Sequence, residues 1–401
     1  MKQALKGKWP IFIALATACI TMWANNINQV CLDAIYTEFQ SANAFLQGYI
    51  VGGTSFVSLA FVLLTGVLAK KINKKLILMA ALVLYLIGGV GGGFAQTMLQ
   101  YAIFRTIMGA ATGILGTIVF SIMFEYFPNP DDSAKIMGAY QLCNTLSGAL
   151  ISYLAGVLCV ISWRTAQWIN AGAILTLVCI AVMLPCAPKA VEGGEGWAEE
   201  GGSGRTKIDA ARVVLTLIEA ILFIVLVSVF QFFVSVYLAE RQIGDAALAG
   251  TLMSVATVTG AVINVVFAKL FEKLRRYTGV LFVLLWGVFS ILLGFNVPAW
   301  VVIAAMCING FGNGIVYSFY PIALNEYVPA KDITLCQSFF QATIYVGLFL
   351  TSYVPNLFGA IFGGGYQRLM LTSGIVTVVL CALVIVFIRT YMTKKPASVK
   401  A

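Results

Sequence analysis

Arg105-Thr-Ile-Met-Gly109-Ala-Ala-Thr-Gly113 runs on through Glu125-Tyr126-Phe127-Pro128 to Asp132 and Gln141, and the chain writes this stretch twice. The second copy reads Gly310-Phe-Gly-Asn-Gly314, then Glu326-Tyr327-Val328-Pro329, Asp332 and Gln341. The offset is 201 residues through the glycines and the Glu-Tyr-x-Pro, and 200 from the aspartate onward, so a single deletion separates the copies. Working outward, Ser152-Tyr153 recurs as Ser352-Tyr353, and Ala69-Lys70-x-x-x-Lys74 recurs as Ala268-Lys269-x-x-x-Lys273. Such a repeat predicts a duplication whose halves pack as pseudo-symmetric units.

Composition sets the solvent. The 401 residues are 60% hydrophobic and 10% charged, whereas a soluble domain carries about a quarter charged residues. The apolar residues come in runs of about twenty, long enough to cross ~30 Å of hydrocarbon as a helix. A helix satisfies every backbone N–H and C=O within its own segment. The alternating ten-residue pattern of a membrane barrel is absent.

Twelve spans are read, near 10–33, 44–69, 75–97, 99–124, 133–160, 163–185, 212–239, 245–270, 277–296, 298–325, 333–361 and 366–391. Lys2, Lys6 and Lys8 before the first run imitate a secretory signal, but the run continues past any cleavage box and more spans follow. The predicted fold class is therefore an all-α membrane protein of twelve transmembrane helices in two six-helix bundles. The bundles are 1–185 and 212–401, joined by 186–211. That linker, with Gly193-Gly194-Glu195-Gly196 and Glu199-Glu200-Gly201-Gly202, buries nothing and reads as a flexible hinge.

A net charge of +9 raises the question of nucleic acid, but the basic residues sit in short runs between spans. One face collects 21 Lys and Arg against 3 on the other, which places both termini and the linker in the cytoplasm of a multi-pass cell-membrane protein. No histidine is present, which removes imidazole metal ligation, Ser-His-Asp catalysis and a histidine proton relay. The nine cysteines form no C-x-x-C and read as small apolar residues of helix interiors. No cofactor, metal, nucleic acid or protein partner is implied. A lipid bilayer, a small-molecule substrate and a monomer are expected.

The second span ends Gly66-Val-Leu68-Ala69-Lys70-Lys71-Ile-Asn73-Lys74-Lys75. This resembles the loop signature of the major facilitator superfamily, Gly-x-Leu-Ala-Asp-Arg-x-Gly-Arg-Arg/Lys, with Lys70 in place of the aspartate and Asn73 in place of the second glycine. Arg105-x-x-x-Gly109 is similar to a second family motif, and Trp163-Arg164 to the opening of the sixth helix. The resemblance covers nearly the whole chain. It implies a transporter, not an enzyme, with a site near the bilayer midplane between parallel repeats and lined by the first, fourth, seventh and tenth helices. The family's antiporter signature, Gly-x-x-x-Gly-Pro-x-x-Gly-Gly, is poorly kept at Asn144-x-x-x-Gly148-Ala149.

Polar side chains within lipid spans face the bundle interior. Asn25, Gln29 and Asp33 share one face of the first helix at four-residue steps. Gln231 in the seventh echoes Gln29. Asn309, Asn313, Tyr317 and Tyr320 lie on the tenth at three- and four-residue steps, the first three forming a stripe, while the fifth and eleventh offer Gln141, Asn144, Gln337, Gln341 and Tyr345. Each amide is read either as an interhelical bond or as a ligand contact. Arg105 has no acid within a turn on either side, so its partner lies elsewhere, and substrate binding is the expected role.

The acids inside spans are Asp33 and Glu219, the candidates for proton coupling. Glu219 is read either as a buried carboxyl or as a partner of Arg212 or a neighbouring helix. At the cytoplasmic ends, Glu125 and Glu326 are read as gate ion pairs, and Lys70 with Asp332 and Lys269 with Asp132 as a latch of swapped polarity. The expected function is secondary active transport of a small organic solute by alternating access, as proton-coupled efflux by an antiporter or as nutrient or organic-anion uptake. A membrane-embedded lipid enzyme and a transport-dead sensor are the readings from other classes.

Overall fold

The computed structural model describes residues 8–40, 42–127, 130–185, 209–274, 277–325, 327–328 and 333–387. Among them, ten helices are long and apolar enough to cross a membrane. One bent pair (Phe339–Thr351 with Val354–Phe362) and the shorter apolar helix Tyr277–Leu293 complete twelve spans. The all-helical fold read from the sequence is the fold observed.

Several spans begin where a polar side chain satisfies a free N–H of the first turn. The Leu46 N–H donates to Asn43 Oδ1 (2.9 Å) at the start of the second span, Ala44–Lys71. The Gln100 N–H donates to Thr97 Oγ1 (3.2 Å) at the fourth, Met98–Tyr126. Asp209 and Asp245 act in the same way for the seventh and eighth spans, Ala210–Glu240 and Ala246–Leu274. Asn73, which stands where the family's loop signature has glycine, accepts from the Lys75 N–H (2.9 Å) and so caps the third span, Lys74–Gly92.

Breaks interrupt several helices, among them the sixth span, Trp163–Met183, which tightens into a 3-10 turn over Trp168–Gly172. The first span, Trp9–Val30, tightens into a 3-10 turn over Ala18–Trp23. There the Thr17 and Thr21 hydroxyls donate back to Ala14 O and Ala18 O, both at 2.7 Å. The seventh leaves helical geometry at Phe233 (φ −116°, ψ 16°). The eleventh, which begins at Ile333, bends by 46° after Thr351, where Pro355 lacks the N–H that would continue the ladder.

Contacts divide the chain into two compact units. The first holds Met1–Gly196 with Phe232–Val258 and Leu348–Tyr353; the second holds Trp197–Gln231, Thr259–Gly347 and Val354–Ala401. The first six spans thus share a unit with the tip of the hairpin between the seventh and eighth spans. Within that unit the Ser254 hydroxyl donates to Ala149 O (2.6 Å), and the Ser235 hydroxyl donates to Gln29 O (3.0 Å). Phe56 packs on Phe349 with ring centroids 5.1 Å apart.

Leu78, Leu82, Leu115 and Ile118 belong to the buried core of this unit, while Leu63, Ile103, Val160 and Val182 lie exposed as a surface for lipid. In the second unit, Val379, Leu383 and Val386 of the twelfth span, Tyr366–Phe387, are exposed in the same way.

The duplicated glycines do the same work in both units. A Cβ on Gly113 would stand 2.5 Å from Ser58 O, and one on Gly314 would stand 2.5 Å from Gly260 O. The fourth span therefore lies backbone-close against the second, and the tenth (Ala299–Asn325) against the eighth. Gly116, on the same helix as Gly113, is different: a Cβ there would meet nothing within 4 Å. Gly113→Val is expected to lower the thermal midpoint in detergent micelles, at a cost of about 1–3 kcal/mol from overpacking. Gly116→Ala is expected to leave the midpoint unchanged or raise it, and equal behaviour of the two variants would contradict the close approach.

Candidate functional site

The first unit is organised around Arg105, which is 2% exposed. Its Nε donates to Ile50 O (3.1 Å) and its Nη2 to Asn25 Oδ1 (2.8 Å). The guanidinium thus ties the fourth span to the second and the first. Both acceptors are neutral. The partner expected for the cation is an amide and a carbonyl, not a carboxylate, and Nη1 is buried without any acceptor among the described residues.

Around it lies a network that only a four-amide run, Asn25-Asn26-Ile-Asn28-Gln29, announced in the sequence. A helix cannot confine residues 25, 26, 28 and 29 to one face, so each finds its own neighbour. The Asn28 amide donates to Ile50 O (3.2 Å) and receives the Tyr101 hydroxyl (2.8 Å). Tyr101 in turn accepts from Gln167 (3.2 Å), and the Tyr85 hydroxyl donates to Asn170 (2.8 Å). Asn26 donates to the Ser152 hydroxyl (2.9 Å). Gln29, buried at 4% exposure, has an Oε1 with no partner among the described residues.

On the fifth span (Pro130–Ile161), Asn144 receives the Trp23 indole N–H (2.9 Å to Oδ1) and donates to Gln141 (3.4 Å), whose side chain is exposed. Asp33 is half-buried, and its N–H donates to the Ser235 hydroxyl (3.2 Å).

The second unit gathers its polar groups between the seventh and tenth spans. Asn309, fully buried, donates to Val227 O (2.7 Å). Asn313 donates to Gln231 Oε1 (3.3 Å) and to Asn309 Oδ1 (3.1 Å), so the stripe and Gln231 come together. Tyr317 keeps 37% of its surface uncovered, with Gln341 exposed and Tyr345 half-buried on the eleventh.

Glu219 Oε1 accepts from the Tyr320 hydroxyl (2.9 Å), a partner on the neighbouring tenth span. Arg212 pairs instead with Asp209 (3.4 Å) and is not the partner of Glu219. Tyr320 itself is packed among Phe223, Phe319 and Phe340.

Of the gate residues, Glu125 pairs with Lys74 at 2.8 Å. Asp332 and Glu326 and the side chains of Lys70, Lys269 and Asp132 lie outside the described residues. No metal-ligating cluster occurs among the described residues.

The family model described as Major Facilitator Superfamily matches residues 12–273 and 216–401. The chain belongs to this superfamily. It is 29% identical over 170 residues to multidrug resistance protein 3 of Bacillus subtilis, covering 42% of this chain and 32% of that one. It is 26% identical over 146 residues to the arabinose-proton symporter of Escherichia coli, covering 36% and 30%. An uncharacterized MFS-type transporter of Mycobacterium tuberculosis is 32% identical over 140 residues, 33% of this chain and 19% of that protein. The matched stretches thus span a fifth to a third of these relatives' lengths.

The nucleoside transporter NupG superposes with a TM-score of 0.76 at 12% identity, covering 94% of this chain and 99% of that one. The xylose transporter XylE from E. coli does so with 0.73 at 14% identity, covering 97% of each. At such identity the likeness shows the fold alone.

Away from the membrane interior, Glu38 closes one end of this superfamily member's first unit. Both carboxylate oxygens lie 2.6 Å from the Arg164 guanidinium, the Trp163 indole N–H donates to Oε2, and Arg164 Nη2 also donates to Ala95 O (2.9 Å). Arg164 holds the Glu38 carboxyl below the usual carboxylate range, and the indole adds to the effect. The pair's contribution is therefore fully present above the unfolded value of about 4.3 and is lost as pH falls through the lower folded value. Glu38→Gln is expected to lower the thermal midpoint at pH 7, with the difference from the parent vanishing towards pH 3. A difference independent of pH would contradict the ion pair.

Proposed function

We propose that this superfamily member is a secondary active transporter that moves a small organic solute across the cell membrane by alternating access. Solute is held by the polar groups around Arg105, and a proton is carried on Glu219. The observation that carries the reading is the Glu219–Tyr320 contact. Among the described residues this span-embedded carboxylate meets a phenol and no cation. A phenol O–H bonds both the charged and the neutral carboxyl, so the group can gain and lose a proton without losing its partner.

Efflux by proton antiport is the direction supported by the similarity to multidrug resistance protein 3. Uptake is favoured by a separate observation, the loss of the antiporter signature at Asn144-x-x-x-Gly148-Ala149, together with the similarity to a sugar-proton symporter.

The test is a pH gradient imposed on proteoliposomes, with ethidium and L-arabinose as the probes. The parent is expected to drive one of them against its concentration gradient, and Glu219→Gln to keep exchange while losing the pH dependence. Retention of the parent's pH dependence by Glu219→Gln would remove the proton from that site.

The charge bias supports a topology with both termini and the 186–211 linker in the cytoplasm. In a cysteine-free background, a single cysteine at Gln40 is expected to react with an impermeant thiol reagent outside intact cells, and one at Ile72 is not. The reverse labelling would invert the topology.

A further inference from the structure

The polar groups around Arg105 are left one anion short. A guanidinium has five donors in a planar fork. Here the Nε and Nη2 edges are engaged, while Nη1 is buried and unpartnered among the described residues. Among the described residues of the same unit, four acids of the first six spans and the hairpin tip are occupied or distant, and Glu240 stands at the far end of the seventh span. Glu38 is bound to Arg164, Glu125 to Lys74, and Asp245 caps the eighth span. Asp33 lies eight residues beyond Asn25, about 12 Å along a helix.

One turn from Asn25, on the same face, Gln29 Oε1 is also buried and unpartnered. Thr54 Oγ1, on the second span, is a further orphan, and it has an internal cause. The Ile50 carbonyl, to which a helical threonine usually donates four residues back, already accepts from Arg105 and Asn28. No such competition accounts for Arg105 Nη1 or Gln29 Oε1. A free donor on a cation and a free acceptor one helical turn beyond that cation's amide partner are two unmet hydrogen-bonding groups on neighbouring turns.

We propose that Arg105 and Gln29 recognise an organic carboxylate that carries a hydrogen-bond donor on the neighbouring carbon, of which a hydroxy acid is the simplest form. This rests on the reading of the chain as a solute carrier and names its substrate class. The carboxylate accepts from Nη1 and balances the buried charge, and the hydroxyl donates to Gln29 Oε1. One guanidinium matches one negative charge, which favours a monoanion over a phosphate dianion. A neutral solute would leave the cation uncompensated.

The test is thermal unfolding of the purified full chain in detergent, with lactate replacing chloride at constant ionic strength. Propionate serves as the probe without the hydroxyl and lactamide as the probe without the charge. Lactate is expected to raise the midpoint, propionate to act with an affinity about tenfold weaker, as the loss of one hydrogen bond implies, and lactamide to have no effect. Arg105→Gln is expected to abolish the response. If that variant does not fold, Arg105→Lys, which lacks the planar fork, is expected to weaken it about tenfold.

Asn25→Asp places a carboxylate beside Nη2. It is expected to melt above the ligand-free parent and to ignore lactate. A parent that responds to no carboxylate, a full lactate response in Arg105→Gln or Arg105→Lys, or an Asn25→Asp that melts below the parent each overturns the proposal. The proton-gradient experiment on Glu219→Gln reads the carrier function separately, so either result stands or falls without the other.

Discussion

A guanidinium buried among neutral acceptors is the constraint on which the first unit depends. An unpaired charge in a low-dielectric interior is costly unless its hydrogen bonds hold it in place. Arg105 meets that condition by taking the Ile50 carbonyl and the Asn25 amide, which brings three spans to fixed spacing. The Ile50 carbonyl is shared with Asn28, so the chain of bonds extends through Tyr101 and Gln167 to the sixth span. In such a network each bond polarises the next, and the orphaned Nη1 and Gln29 Oε1 stand out because nearly everything around them is satisfied.

The second unit solves a different problem with the same backbone plan. Its fourth-helix equivalent, the tenth span, carries no arginine, and its amides bond to one another and to Val227 O. Its seventh span instead carries an acid, Glu219, held by Tyr320. Duplication kept the packing, Gly113 on Ser58 and Gly314 on Gly260, while the polar chemistry diverged. A cation lies within the spans of one unit and a carboxyl within those of the other.

Much of the fold was legible because spans are long and apolar and because the repeat is written in the glycines. The breaks were less so. Phe233 carries no local signal for leaving helical geometry, whereas Pro355 does mark the bend of the eleventh span. In the site, four-residue spacing drew attention to Asn25, Gln29 and Asp33, although the helix is interrupted at Cys31 before Asp33, and the lone charge of Arg105 singled it out. Spacing along one helix says nothing of neighbours on another, so Tyr320, Tyr101 and Asn28 went unseen as partners, and Arg212 was offered to Glu219 although Asp209, three residues away, was closer.

The most direct measurement is a cryo-EM map of the full chain with lactate bound. The expected density bridges Arg105 Nη1 and Gln29 Oε1, with the carboxylate on the arginine. Lactate density elsewhere, with Arg105 Nη1 capped by a protein oxygen, would contradict the role assigned to the buried cation.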